Sequence, residues 1–332
     1  MSKTPLFVIS LDFELFWGMF DKVSLESYGE NIRGVHSAIP QMLALFERYG
    51  IHATWASVGL LMCERRSELV SLLPKEEQRP EYLNANASSY HHIENADIGQ
   101  DVHDDPYHYG ADLVRQILAA PHQELGSHTF SHFYALDVQK DATSAFAADC
   151  EAFARASAKF NTQITSMVFP RNQVDRTALR TASLHGFTAY RGNPRHMFYS
   201  EKTESAQSNI LLRALRLADA YLNISGHHTY RLPKERIDGM YNIPASRFLR
   251  PYSPKLRFIE KLRIARIQRS MTYAAKRGEV FHLWWHPHNF GINRKENLRV
   301  LIAILEHFKK LQHTYGMKSV SVKEAAAQCD AQ

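Results

Sequence analysis

The chain has 332 residues, 45% hydrophobic and 22% charged, enough to bury a large core and too apolar for disorder over most of its length. A formal net charge of +6 favours acidic partners without choosing among nucleic acid, anionic glycan and membrane, and no apolar run reaches the roughly 18 residues of a spanning helix. The cysteines Cys63, Cys150 and Cys329 form no Cys-x-x-Cys pair, which excludes a cysteine zinc knuckle; with no signal-peptide core after Met1, the cytoplasm is the expected location.

In chain order, residues 6–12 read as an apolar strand that ends on polar chemistry. Val35–Tyr49 carries a helical period in Val35, Ile39, Met42, Leu43 and Phe46, and Gly50 is a stop signal. Residues 53–58 predict a second strand. A polar stretch near 74–110, rich in Asn, Asp, His and Tyr, then breaks the pattern. Residues 124–127 predict a third strand, 142–160 a helix rich in Ala and alternating charge, and 166–169 a fourth strand. A helix over 175–185, closed by Gly186, leads to a fifth strand at 188–191, and a second irregular stretch runs through about 195–255. Residues 279–285 predict a strand, 295–315 a long amphipathic helix and 319–322 a last strand. This alternation predicts an α/β fold with a mostly parallel sheet or barrel, in one domain over 1–332. The irregular stretches near 74–110 and 195–255 are expected to be insertions over the active-site face, because structureless loops of that length are usually functional. In such folds chemistry sits at the carboxyl ends of the strands.

Asp12 and Glu14 stand two apart on a strand, hence on one face. Adjacent carboxylates repel unless a cation or an arginine joins them, so one is expected to bind metal while the other stays free as a general base. His128 and His132 are four apart, just over one helical turn, and can converge on one metal ion. Glu14 would add an oxygen, and three protein ligands plus water is the pattern of a catalytic site. Thr129 stands where a zincin needs glutamate, so this is not a zincin. His286, after the apolar run Val280-Phe-His-Leu-Trp-Trp285, is a candidate general acid, with His288 beside it as a supporting or substrate-facing group. Arg171, after Phe169-Pro170, can hold a carboxylate bidentately and so orient Asp12. The adjacent pairs His91-His92 and His227-His228 lack a matching carboxylate pattern. Nucleic-acid binding is not expected, for no helix-turn-helix, zinc-finger or aromatic RNA-binding signature occurs.

This set resembles the polysaccharide deacetylases with NodB homology, carbohydrate esterase family 4. Ser10-Leu11-Asp12-Phe13-Glu14 is similar to the family's acidic motif, in the variant with one residue inserted between the acids. His128-Thr-Phe-Ser-His132 matches its histidine motif, Phe169-Pro170-Arg171-Asn172 loosely matches its arginine motif with the proline on the other side, and Leu283-Trp-Trp-His286 matches its last strand. Glutamate replaces the usual metal aspartate, and Arg191-Gly192-Asn193 stands where the family carries an Asp-Trp-type element. The resemblance implies a distorted (β/α) barrel and a divalent metal, often zinc, bound by Glu14, His128 and His132. Asp12 would be the catalytic base, Arg171 its positioning group and His286 the catalytic acid. The implied reaction removes an N- or O-acetyl group from a carbohydrate in cell-envelope or surface-polysaccharide assembly. The alternatives are a related amidase or deformylase acting on another C–N bond, and an inactive glycan-binding homologue. The expected substrate is an acetylated saccharide. The segment 247–277, with ten Lys or Arg, one acid (Glu260) and interleaved Leu256, Ile259, Leu262 and Ile267, is in part a basic, weakly amphipathic helix, either simply solvated or lying on the inner face of a membrane where it would present a lipid-linked saccharide.

Overall fold

Strand β1 (Leu6–Phe13) is the spine of the molecule, and the computed structural model describes residues 4–200 and 209–331 around it. On one side β1 pairs with β8 (Val280–Trp285). On the other, its first residues pair with β9 (Lys318–Val320) and its last with β2 (Ala53–Ser57). From β2 the sheet continues through β3 (Gln123–Ser127), β4 (Ser166–Val168), β5 (Ala189–Arg191) and β6 (Tyr241–Asn242), while β7 (Arg247–Phe248) lies beyond β8. All of these ladders are parallel.

The two ends of that path, β6 and β7, are consecutive in the chain and separated only by residues 243–246. Ile243 N and Ala245 N donate to Tyr190 O and Gly192 O beside β5, each at 2.9 Å, whereas Ser246 N and Leu249 N donate to His282 O and Trp284 O of β8, each at 2.8 Å. One short segment therefore draws the curled sheet together into a distorted (β/α) barrel. The stretch near 195–255, expected to be an insertion, contributes these two strands to the barrel itself. Two residues apiece are too short to show a period of two, so the pattern concealed them.

The helices are α1 (Leu25–Arg33), α2 (Val35–Tyr49), α3 (Arg66–Leu72), α4 (Ser89–Asn95), α5 (Ala111–Ala119), α6 (Ala142–Ser157), α7 (Arg176–Leu184), α8 (Ile210–Asp219), α9 (Glu260–Arg277), α10 (Arg294–Tyr315) and α11 (Val322–Asp330). Gly50 closes α2 at φ 63°, the left-handed stop its position predicts. The last strand ends two residues earlier than expected, because Ser321 and Glu324 form a capping box that starts α11.

Alternation along β1 sorts two environments. Phe7, Ile9, Leu11 and Phe13 join the main core shared with the helices. Leu6 and Val8 pack instead with Ala189 and Val280 from other strands, with Ile243 just after β6, and with Val322 and Ala325 of α11, which places them inside the barrel over a helical plug. The next inward positions are Ser10 and Asp12, both buried. The barrel interior thus changes from apolar at its base to polar at the carboxyl ends of the strands.

The basic segment 247–277 runs through β7, a short helical turn (Pro254–Ile259) and helix α9. Helix α9 turns Ile267, Met271, Ala274 and Ala275 into the core. Arg263 and Arg266 on it are buried, Arg263 paired with Glu260 and Arg266 donating to Gly226 O at 2.6 Å. Leu262 stays exposed, and no helix among the described residues is long and apolar enough to cross a membrane.

Candidate active site

Asp12 leaves β1 pointing at the end of β5, where Arg191 grips it with two parallel bonds, Nη1 to Oδ1 at 2.6 Å and Nη2 to Oδ2 at 2.7 Å. Arg191 also donates to Ser10 Oγ at 3.1 Å and to Asn172 Oδ1 at 3.0 Å, and its guanidinium lies 4.1 Å from the Trp284 ring. Ser10 Oγ is 2.8 Å from His282 Nε2, while His282 Nδ1 is 3.1 Å from Ile243 O. A carbonyl only accepts, so Nδ1 carries the proton and Nε2 accepts from Ser10. Burial and the nearby Arg191 push His282 down to about 3, which keeps it neutral. Burial alone would raise the Asp12 carboxyl, but Arg191, joined by His128 and His286, outweighs it and holds Asp12 below the usual carboxylate range.

The arginine on Asp12 is therefore Arg191 and not the expected Arg171. Arg171 sits at φ 53° in a short turn (Pro170–Asn172), pairs with Asp21 and lies 4.1 Å from the Tyr134 ring. The turn carries its guanidinium to Asp21, whereas Arg191, at the end of a barrel strand, projects inward to Asp12.

Glu14 follows β1 and caps a short turn (Leu15–Gly18). Its carboxylate lies among three imidazoles: His286 Nε2 at 2.9 Å, His132 Nε2 at 3.5 Å and His128 Nε2 at 3.9 Å. A Cβ on Gly18 would coincide with this carboxylate, so the glycine is what lets the chain pass so close. Burial would raise the Glu14 pKa, and the surrounding histidines, His286 foremost, depress it instead.

His128 and His132 do converge, but not along a helix. Residues 128–132 form a loop with Thr129 at φ 63° and His132 at φ 57°. Asp149 of α6 fixes its shape, accepting from Phe130 N at 2.7 Å, Ser131 N at 3.0 Å and Ser131 Oγ at 2.5 Å. His128 Nδ1 is 2.8 Å from Val168 O, so it bears the proton and leaves Nε2 with a free lone pair facing Glu14. Burial lowers both histidines, as neutral ligands require.

One atom from each of Glu14, His128 and His132 lies within 4.8 Å of the others. Ligands at zinc distances of about 2.0–2.1 Å in tetrahedral array stand roughly 3.4 Å apart, so this buried two-nitrogen, one-oxygen set suits a small divalent cation with little adjustment.

His286 completes the site from the end of β8, 3.9 Å from Asp12 Oδ2, with 24% of its side chain exposed. Burial would lower its pKa, but Glu14 and then Asp12 raise it above the ordinary imidazole value. His288 stacks on it at 4.8 Å and 13°, and is driven down to about 3 by burial and by His286. The exposed face of His286 looks into a cavity of about 280 Å³, walled in part by Trp284, Phe248 and Asn172.

The model of the polysaccharide deacetylase family matches residues 17–190. The chain belongs to the polysaccharide deacetylase family. The matched span holds His128, His132 and Arg171 and stops one residue short of Arg191, so Asp12, Glu14 and His286 lie outside it. No curated protein matches the chain. Among solved structures, one described as a polysaccharide deacetylase from Mycobacterium smegmatis is 11% identical with a TM-score of 0.58, covering 100% of this chain and 93% of its own. Another so described, from Pseudomonas aeruginosa PAO1, is 11% identical with a TM-score of 0.57, covering 98% and 91%. A 4-alpha-glucanotransferase from Thermococcus litoralis reaches 0.53 at 10% identity, covering 98% of this chain and 40% of its own. At such identities the likeness is one of fold, and the last case shows this barrel within a protein of another activity.

Arg191, Gly18, Asp149 and His282 escaped the sequence reading as site residues. Arg191 ends a predicted strand, so the rule that barrel chemistry sits at strand ends pointed to it. The other three carry no local signal.

Proposed function

We propose that this polysaccharide deacetylase family member is a divalent-metal-dependent hydrolase that removes an acetyl group from a saccharide. The observation that carries the proposal is the convergence of Glu14, His128 and His132 beside an Asp12 held ionised by Arg191. A divalent metal, zinc by the donor set, would polarise the acetyl carbonyl and stabilise the oxyanion. Asp12, oriented by Arg191, takes the proton of the attacking water. His286, protonated and facing the cavity, delivers a proton to the leaving nitrogen or oxygen as the acetyl C–N or C–O bond breaks and acetate forms. Neutral His288 supports the ring of His286 without competing for its proton.

Retention of base, acid and ligand set favours an enzyme over a binding-only homologue, which needs none of them together. We place the reaction in envelope or surface-polysaccharide assembly, on the cytoplasmic side. The test is metal analysis with acetate release from acetylated saccharides. His128→Ala should lose metal and activity together, while Asp12→Asn should keep metal and lose activity; an active Asp12→Asn variant would falsify the proposed base.

A further inference from the structure

The cavity beside His286 has five arginines in its wall, Arg171, Arg216, Arg247, Arg250 and Arg263, and no carboxylate among the described residues. Three of them are compensated from behind: Arg171 by Asp21, Arg263 by Glu260, and Arg247 by Asp219 at 2.6 Å. Arg216 and Arg250 have no acidic partner among the described residues. Arg216 donates to Phe198 O at 2.6 Å and lies 5.6 Å from the Tyr199 ring. The Arg250 guanidinium makes no hydrogen bond or ion pair among the described residues, although Arg250 O accepts from Arg263.

Two uncompensated cations facing one partly enclosed cavity are unfavourable unless an anion joins them. Burial lowers the pKa of both, and Arg263 and Arg213 lower that of Arg250 further, which has the same physical cause. Apolar faces of Trp284, Phe248 and Pro194 make up much of the remaining wall, and the volume of about 280 Å³ suits a small polar ligand. A carboxylate would neutralise one arginine. A phosphate carries nearly two charges and three acceptor oxygens, matching two guanidiniums.

We propose that this cavity binds a phosphate carried by the saccharide substrate, with Arg250 and Arg216 as its principal ligands, so that the deacetylated sugar is a glycosyl phosphate or diphosphate. The saccharide part rests on the hydrolase reading above; the phosphate part rests on the cavity.

Calorimetry on the full chain tests this without turnover. N-Acetylglucosamine 1-phosphate should bind at least about tenfold tighter than N-acetylglucosamine, and added salt should weaken the difference. Arg250→Gln and Arg216→Gln should each cut binding of the phosphorylated probe about tenfold, and Arg250→Lys should recover part of it. Unchanged melting of these partly exposed variants would exclude misfolding. Equal binding of the two probes, or no effect of either glutamine variant, would overturn the site. Phosphate-selective binding without acetate release from any acetylated saccharide would overturn the hydrolase reading and leave the site standing. Acetate release from neutral acetylated oligosaccharides without phosphate preference would overturn the site alone. A nucleoside-diphosphate sugar and a polyprenyl-phosphate-linked sugar in detergent then distinguish the two sources of the phosphate.

Discussion

Asp12 and Arg191 meet across the barrel from β1 and β5, two carboxylate oxygens against two guanidinium nitrogens at 2.6 and 2.7 Å, with both side chains buried. This geometry fixes the direction of the carboxylate as well as its charge. In Arg191→Gln the Asp12 pKa rises, because the cation that depressed it is gone. The acid limb of the pH–rate profile should therefore move to higher pH, with kcat falling by about 10²-fold or more. The variant should also lose roughly 3–5 kcal/mol of stability through the unpaired buried charge. Arg171→Gln should leave that limb in place. A shifted limb in Arg171→Gln and none in Arg191→Gln would reverse the assignment.

Gly18 and Glu14 make a second prediction. A methyl group on Gly18 has no space beside the Glu14 carboxylate, so Gly18→Ala should expel the carboxylate from between the histidines while the core persists. Metal affinity should fall about 10–100-fold with little change in circular dichroism. Titration with zinc in the presence of a chromophoric chelator reads this directly. Wild-type affinity in Gly18→Ala would remove Glu14 from the ligand set.

Which parts of the molecule were legible follows from how each is encoded. Helix α2 has the limits predicted because its apolar period and Gly50 are local signals. Asp12, Glu14, His128, His132 and His286 could be grouped because each lies at or just past the end of an apolar strand run, and a barrel brings such ends together. The pairing of Asp12 with Arg191 joins residues 179 positions apart and leaves no trace in spacing. Arg171 stood in a suggestive Pro-containing turn, but a left-handed φ at that residue sends its side chain to Asp21. The His128–His132 spacing led to the right convergence by the wrong route, since the loop is shaped by Asp149 from another helix.

Asp149 offers a pH test. Burial pushes its pKa up from 3.8 to about 6, despite three bonds that favour its ionised form. The folded state thus holds the proton more tightly than the unfolded chain. The associated stability is fully present below about pH 4 and is lost as pH rises through about 6. The shift corresponds to about 3 kcal/mol. Asp149→Asn cannot titrate, so the stability difference between wild type and variant should change by about that amount between pH 4 and pH 7. Urea unfolding at the two pH values measures it. A difference independent of pH would mean that Asp149 titrates normally.

The opposite sign holds at Asp219, which ends α8 and binds it to the barrel. Its carboxylate accepts from Tyr199 Oη at 2.7 Å, Ser225 N at 2.8 Å, Ser225 Oγ and Arg247 Nη1 each at 2.6 Å, and Ile224 N at 3.1 Å. Burial would raise its pKa, yet Ser225 and Arg247 bring it down to about 2. This stabilisation is present above about pH 4 and disappears as pH falls through about 2, worth roughly 2 kcal/mol. Asp219→Ala should destabilise the protein at pH 7 by more than that, about 3–5 kcal/mol, because Arg247 is left buried without its partner. Removing the arginine too, in Asp219→Ala/Arg247→Met, should recover much of the loss, since the stranded charge goes with it. A double variant as unstable as the sum of the two single ones would show that the pair acts through packing and not through charge.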